Sequence, residues 1–270
     1  MNWEIYADPL FRLPFAAGLL IAGVLPVLGA LLMLREEWLA ALGLAHLAAA
    51  GALLGIAAGA PAMFGASLGA LGGGAVKSLG GARGNTAYGF MILIGWSALL
   101  LAAANTSAGD AVGQAVMDGQ LYFAGWNELA AAVLLTGLAV TALPRLMPRL
   151  LRARFFPRHD TANRLPAWRW HLGFDLLAAF GVAVGTATLG LLGAFALVLV
   201  PAWAAFRIAP GWAWTLWLAG LMGVAAYLAA FVLALGLDQP FGPVLAAVCL
   251  VLGGLIGALS RPAQGRGGGT

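Results

Sequence analysis

The sequence predicts an all-α polytopic membrane protein with about eight or nine transmembrane helices, one of them a short return helix. Two observations predict it. Of 270 residues, 62% are hydrophobic and 9% charged, and the mean hydropathy is +0.94. A soluble domain carries about 25% charged residues and needs them to cover its surface. The second observation is one basic stretch, PRLMPRLLRARFFPRHDTANRLPAWR (144–169), with nearly continuous apolar sequence on both sides. It holds seven of the fourteen Lys and Arg: Arg145, Arg149, Arg152, Arg154, Arg158, Arg164 and Arg169. Such a cluster is costly to move through a bilayer and is attracted to the anionic cytoplasmic leaflet. It belongs in the cytosol, and every span is oriented from it.

Taken in order, the N-terminus carries Glu4 and Asp8 and no basic residue before Arg12, unlike the n-region of a cleaved signal peptide. The first span is expected over 13–34, and the loop REEW (35–38) follows. Span 2 covers 39–58 and contains His46. Span 3 opens at Pro61 and runs to 76, with Lys77 and Arg83 in the Gly-rich loop after it. Span 4 covers 86–104, and the next loop carries Asp110 and Asp118. Span 5 covers 121–143 and leads into the basic stretch.

The apolar run 171–206 is too long for one crossing at about 20 residues per helix. Gly185, Gly190 and Gly193 suggest a tight reversal near Leu189, giving a sixth span and a shorter return span. Two more spans follow, 212–235 and 244–259, joined by the turn GLDQPFGP with Asp238. Residues 1–260 then form a single domain with a cytosolic segment at 145–169, and RPAQGRGGGT (261–270) forms a disordered cytosolic tail. With nine crossings, thirteen of the fourteen basic residues fall inside and only Arg12 falls outside, as the positive-inside rule requires.

Small residues recur at helical spacing: Gly51, Gly55 and Gly59; Gly65, Gly69 and Gly73; Gly181 and Gly185. Such faces let helices approach closely in lipid. The expected role is packing; a sliding surface is the alternative. The net charge of +4 sits in short loops and reports topology, not nucleic-acid binding. One cysteine, Cys249, permits no internal disulfide. No nucleophile elbow, zinc-protease helix or Walker lysine motif is present, so no enzyme activity is expected. The Gly-rich GALGGGAVKSLGG (69–81) lacks the GKS or GKT ending of a phosphate loop.

Five segments, in order, carry a resemblance. They are the opening two spans with His46 and Gly51; Thr86, Ala87 and Gly89 in GNTAYGF; FFPRHDTANRL; Gly190, Gly193, Pro201 and Ala202 in GLLGAFALVLVPA; and the turn LDQPFGP. Together they resemble the ABC-3 family, the membrane subunits of zinc and manganese ABC importers. The resemblance implies a permease that provides the translocation pathway for a divalent transition metal, zinc favoured and manganese possible. It implies a multi-pass protein of the inner (plasma) membrane, in contact with lipid and paired with a second copy of itself. It also implies cytosolic ABC ATPase subunits, which bind the ATP, and a periplasmic or extracellular metal-binding protein. No cofactor is expected in this chain beyond the transported ion. The alternatives are a permease of the same architecture for a metal chelate, or an ATP-independent carrier.

The resemblance also implies a coupling helix in the central segment, docking on the ATPase through Phe155, Phe156, Asp160 and Ala162. The residues themselves agree. Pro157 starts a short helix and Pro166 disfavours helix at Leu165. The metal residue expected is His46. The family carries an Asp four residues before this His; here that position is Leu42. A later carboxylate is also missing, since 207–237 holds no Asp or Glu. Glu128 and Asp175 are the other acids of the membrane region. His46 stands between two roles: a ligand completed by the second copy's His46, or a lone imidazole satisfied by a backbone carbonyl.

Overall fold

In lipid a spanning segment must satisfy its own backbone hydrogen bonds, and the helix does so within one segment. The computed structural model describes residues 9–81, 84–106, 109, 119, 121–156 and 158–260. Their long helices are α1 (Arg12–Leu34), α2 (Trp38–Ala57), α3 (Ala62–Leu79), α4 (Asn85–Ala104) and α5 (Trp126–Phe155). A four-residue helix, α6 (His159–Ala162), follows. Then come α7 (Ala167–Leu189), α8 (Leu191–Ile208), α9 (Trp212–Leu237) and α10 (Phe241–Leu259). Eight of these are long and apolar enough to cross a membrane. The remaining long helix, α3, has 18 residues and carries Gly72, Gly73, Gly74 and Lys77. The chain is thus an all-helical, multi-pass membrane protein. Glu4, Asp8, Arg83, Asp110, Asp118, Pro157, Arg261, Arg266 and the tail 261–270 lie outside the described residues.

The reversal after Leu189 is where glycine is required. Gly190 has φ +84° and ψ 161°, a backbone region essentially closed to other residues. It ends α7 by donating to the Thr186 carbonyl, and its own carbonyl accepts from Ala194 as α8 begins. The sequence suggested a short return span here. The two helices are 23 and 18 residues long, the return helix being the shorter, and α7 starts already at Ala167, directly after Pro166.

The fifth span also differs from expectation. A 3-10 turn holds Leu121–Phe123, and α5 begins at Trp126, where Glu128 accepts from the Gly125 amide at 2.8 Å. The helix then runs on through Arg145, Arg149, Arg152 and Arg154. The first part of the basic stretch, 144–155, is therefore a continuation of α5 rather than a loop. Its arginines find local partners: Arg145 donates to the Thr141 carbonyl, Arg149 to the Arg145 carbonyl at 3.0 Å, and Arg149 stacks 3.5 Å from the Trp170 ring centre.

α1 is the central helix. Its Leu25 and Leu28 side chains pack where Gly181 and Gly185 of α7 leave room. A side chain at Gly29 would strike the Val198 carbonyl of α8, and one at Gly223 of α9 would strike the Ala22 carbonyl. The two other expected glycine faces meet each other: Gly51 and Gly55 of α2 lie backbone to backbone on Gly65 and Gly69 of α3. They serve helix packing, as expected of small residues in lipid. At the end of the bundle away from the basic stretch, Phe11, Tyr122, Tyr227, Phe231 and Phe241 form an aromatic cluster with centroids 5.6–6.3 Å apart.

Candidate functional site

Charges inside a membrane bundle are expensive, and where they occur they mark function by default. The sequence placed Lys77 in a loop. The structure puts it in the last turn of α3, 3% exposed. Its Nζ donates to Glu37 Oε2 at 2.9 Å and to Asp175 Oδ1 at 2.8 Å. Arg35 lies 2.8 Å from the same Glu37 oxygen and 3.0 Å from the same Asp175 oxygen. The four side chains are each 7% exposed or less. Two cations and two carboxylates thus cancel in a buried quartet. It joins the turn between α1 and α2, the end of α3 and the third turn of α7. Arg35 also faces the Phe174 ring at 5.0 Å.

Arg35 and Glu37 of the quartet reach the wall of a cavity of about 600 Å³. Arg35, Glu37 and Tyr88 line it on that side; Arg154, Asp160 and Trp168 line it on the side of the basic segment. Tyr88 is fully buried, and its hydroxyl has no hydrogen-bond partner among the described residues. Among the described residues, two further arginine–carboxylate pairs lie outside the quartet. Arg154 of α5 pairs with Glu36, and Arg152 lies 3.7 Å from Asp160 of α6.

The residues expected to couple sit around α6. Phe155 and Phe156 are 67% and 65% exposed at the end of α5. Asp160 is 8% exposed and lies 3.3 Å from His159 Nδ1. Ala162 is exposed. The short helix and its stop before Pro166 follow the prolines read from the sequence.

His46 lies elsewhere, on α2 against α4. It is 4% exposed, its ring centre 5.2 Å from that of Trp96. Gly95 lets the two helices close, because a side chain there would meet the His46 backbone. His46 Nδ1 lies 2.8 Å from the Leu42 carbonyl oxygen. A carbonyl only accepts, so Nδ1 carries the proton and Nε2 keeps the lone pair. Among the described residues no group of three or more His, Cys, Asp and Glu is arranged to hold a metal ion.

Sequence reasoning noticed Asp175 but missed the quartet. One signal was available: Lys77 is the only lysine beside thirteen arginines. A compact point charge can bridge two carboxylates where a planar fork fits less well.

The chain matches the model of the ABC 3 transport family over residues 8–258. No curated protein sequence matches it. Among solved structures, PsaBC from Streptococcus pneumoniae in complex with Fab is similar, with TM-score 0.79 and 15% identity over 94% of this chain and 92% of that one. An inward-facing transporter assigned to the metal-chelate ABC type is similar with TM-score 0.69 and 16% identity, over 96% and 90%. At these identities the likeness speaks for a shared fold. The family match extends over nearly the whole helical bundle, and the chain belongs to the ABC 3 transport family.

Proposed function

We propose that this chain is the permease subunit of an ATP-driven importer for a divalent transition metal, zinc before manganese. In this reading two copies form the pathway in the inner (plasma) membrane. Cytosolic ATPase subunits dock on the basic end, and a binding protein delivers the ion from outside. The supporting observation is the short helix α6. It follows α5, with Phe155 and Phe156 bare on a surface otherwise rich in arginine. Exposed aromatic pairs beside a buried carboxylate suit a protein partner better than water. Asp160→Lys should therefore break docking: it sets a second cation beside Arg152 and removes the partner of His159. The expected result is loss of most ATPase co-purification at unchanged permease level; wild-type co-purification would make the segment a mere linker.

His46 is the proposed metal ligand. Its Nε2 lone pair is the form that binds zinc, and the Leu42 carbonyl orients the ring. One imidazole is too few for zinc, which prefers four ligands, so the site needs the second copy's His46 and water. A weak site suits an ion that must leave again. His46→Ala should lower zinc uptake about tenfold at equal protein level, read in liposomes holding permease, ATPase and binding protein. Undiminished uptake would leave His46 a packing residue.

A second reading is favoured by one observation: the described residues offer no cluster of metal ligands, and the position one turn before His46 is Leu42. A metal chelate brings its own ligands and needs none in the permease. Metal content of the purified binding protein separates the two. A bare zinc or manganese ion supports the first, and an organic chelate supports the second.

A further inference from the structure

The basic end carries two tiers of ion pairs. The inner tier is the buried quartet of Arg35, Glu37, Lys77 and Asp175. The outer tier is Arg154 with Glu36 and Arg152 with Asp160. Both tiers run through one tripeptide, Arg35 to Glu37. Arg35 and Glu37 turn inward with side chains 7% exposed, whereas Glu36 turns outward and is 71% exposed. The backbone makes this split. Glu36 has φ +59°, a left-handed conformation that a side chain adopts only at a cost. The turn is closed by the Glu36 amide on the Met33 carbonyl and the Glu37 amide on the Leu32 carbonyl.

The outer pair adds little to stability. Arg154 and Glu36 are 44% and 71% exposed, and exposed pairs contribute little. Its position is what distinguishes it. It ties the last turn of α5, directly before α6, to the turn that holds α3 and α7 through Lys77 and Asp175.

We infer that Glu36 and Arg154 are positioning residues for ATP-coupled transport. They carry displacement of the α6 segment to the quartet, and so to the inner ends of α3 and α7. This rests on the permease reading above. When the ATPase moves α6, α5 follows through the His159 amide on the Phe156 carbonyl and the Arg152–Asp160 pair. Arg154 then draws on Glu36. Arg35 and Glu37 move with it, since the three share one tight turn. The quartet answers as a unit, because separating any member strands a buried charge.

The test uses the full complex with its ATPase. A single cysteine replaces Ser78, which lines the cavity next to Lys77, in a Cys249→Ala background. Its labelling by a thiol reagent is timed with and without ATP and vanadate. The expected nucleotide effect on the rate is about fivefold. Glu36→Gln or Arg154→Gln should each cut that effect at least by half without loss of assembly. The charge swap Glu36→Arg with Arg154→Glu should restore it. A merely structural pair would leave the effect intact in both single variants, and that result overturns the inference. A swap no better than the single variants overturns it too, as does a complex in which nucleotide changes nothing at residue 78. A wild-type chain that binds no ATPase would instead overturn the proposed function, and this inference with it.

Discussion

Lys77→Met should cost this protein most of its folded yield. The substitution keeps volume and helix propensity and removes one charge. It leaves Glu37 and Asp175 buried against Arg35 alone, a net charge of −1 at sites 7% exposed or less. Breaking a buried ionic group by removing one partner costs about 3–5 kcal/mol. A whole fold is stable by about 5–15 kcal/mol, so the loss is a large share. The expected readout is a sharp fall in the monodisperse fraction after detergent extraction, and a lower melting temperature in what remains. Adding Asp175→Leu should restore much of both, since Arg35 and Glu37 remain paired at 2.8 Å and the site is neutral again. If Lys77→Met melts like the wild type, the quartet does not hold the bundle. If the double variant is no better than the single one, shape and not charge is at fault.

The same residue shows what the sequence did and did not disclose. The spans were legible because apolar runs of helix length have one use in lipid. Gly190 was legible because a reversal between two spans needs a residue free to take positive φ. The short helix α6 was legible from the prolines around it. Lys77 was misplaced because charges were assigned to loops by default, and that default holds only for charges without partners. Its partners lie 40 and 98 residues away in the chain, and no local pattern announces such a pairing. The extension of α5 through Arg145 to Arg154 was missed for a related reason. Arginines exclude a segment from the bilayer core, but they do not end a helix that projects beyond it. The placement of His46 inside a span was clear from the apolar run around it. Its neighbour Trp96 on α4 was not, because the meeting depends on how closely Gly95 lets the helices approach.

The crossing of α2 and α3 gives the other large effect. Gly65→Ala should destabilise the bundle severely, although alanine is the better helix former by about 1 kcal/mol. A Cβ at residue 65 would fall on the Gly51 carbonyl, with the Gly55 Cα at 3.0 Å on its other side. Both obstacles are backbone, so no rotamer change relieves them, and the helices must part. Overpacking costs about 1–3 kcal/mol where side chains can yield; here the upper end or beyond is expected. Gly72→Ala on the same helix is the control. A Cβ there meets nothing within 4 Å, so the substitution should be neutral or slightly stabilising. The two variants share helix, chemistry and added volume, and differ only in what the methyl group meets. Thermal melting in detergent should move in opposite directions for the pair. The displaced helices carry His46 on α2 and Lys77 on α3, so parting them disturbs both the His46–Trp96 contact and the quartet. On the proposed function, Gly65→Ala should therefore lose metal uptake as well as stability, whereas Gly72→Ala should keep both. Equal melting of the two variants would mean that the α2–α3 backbones do not meet as closely as the glycines allow.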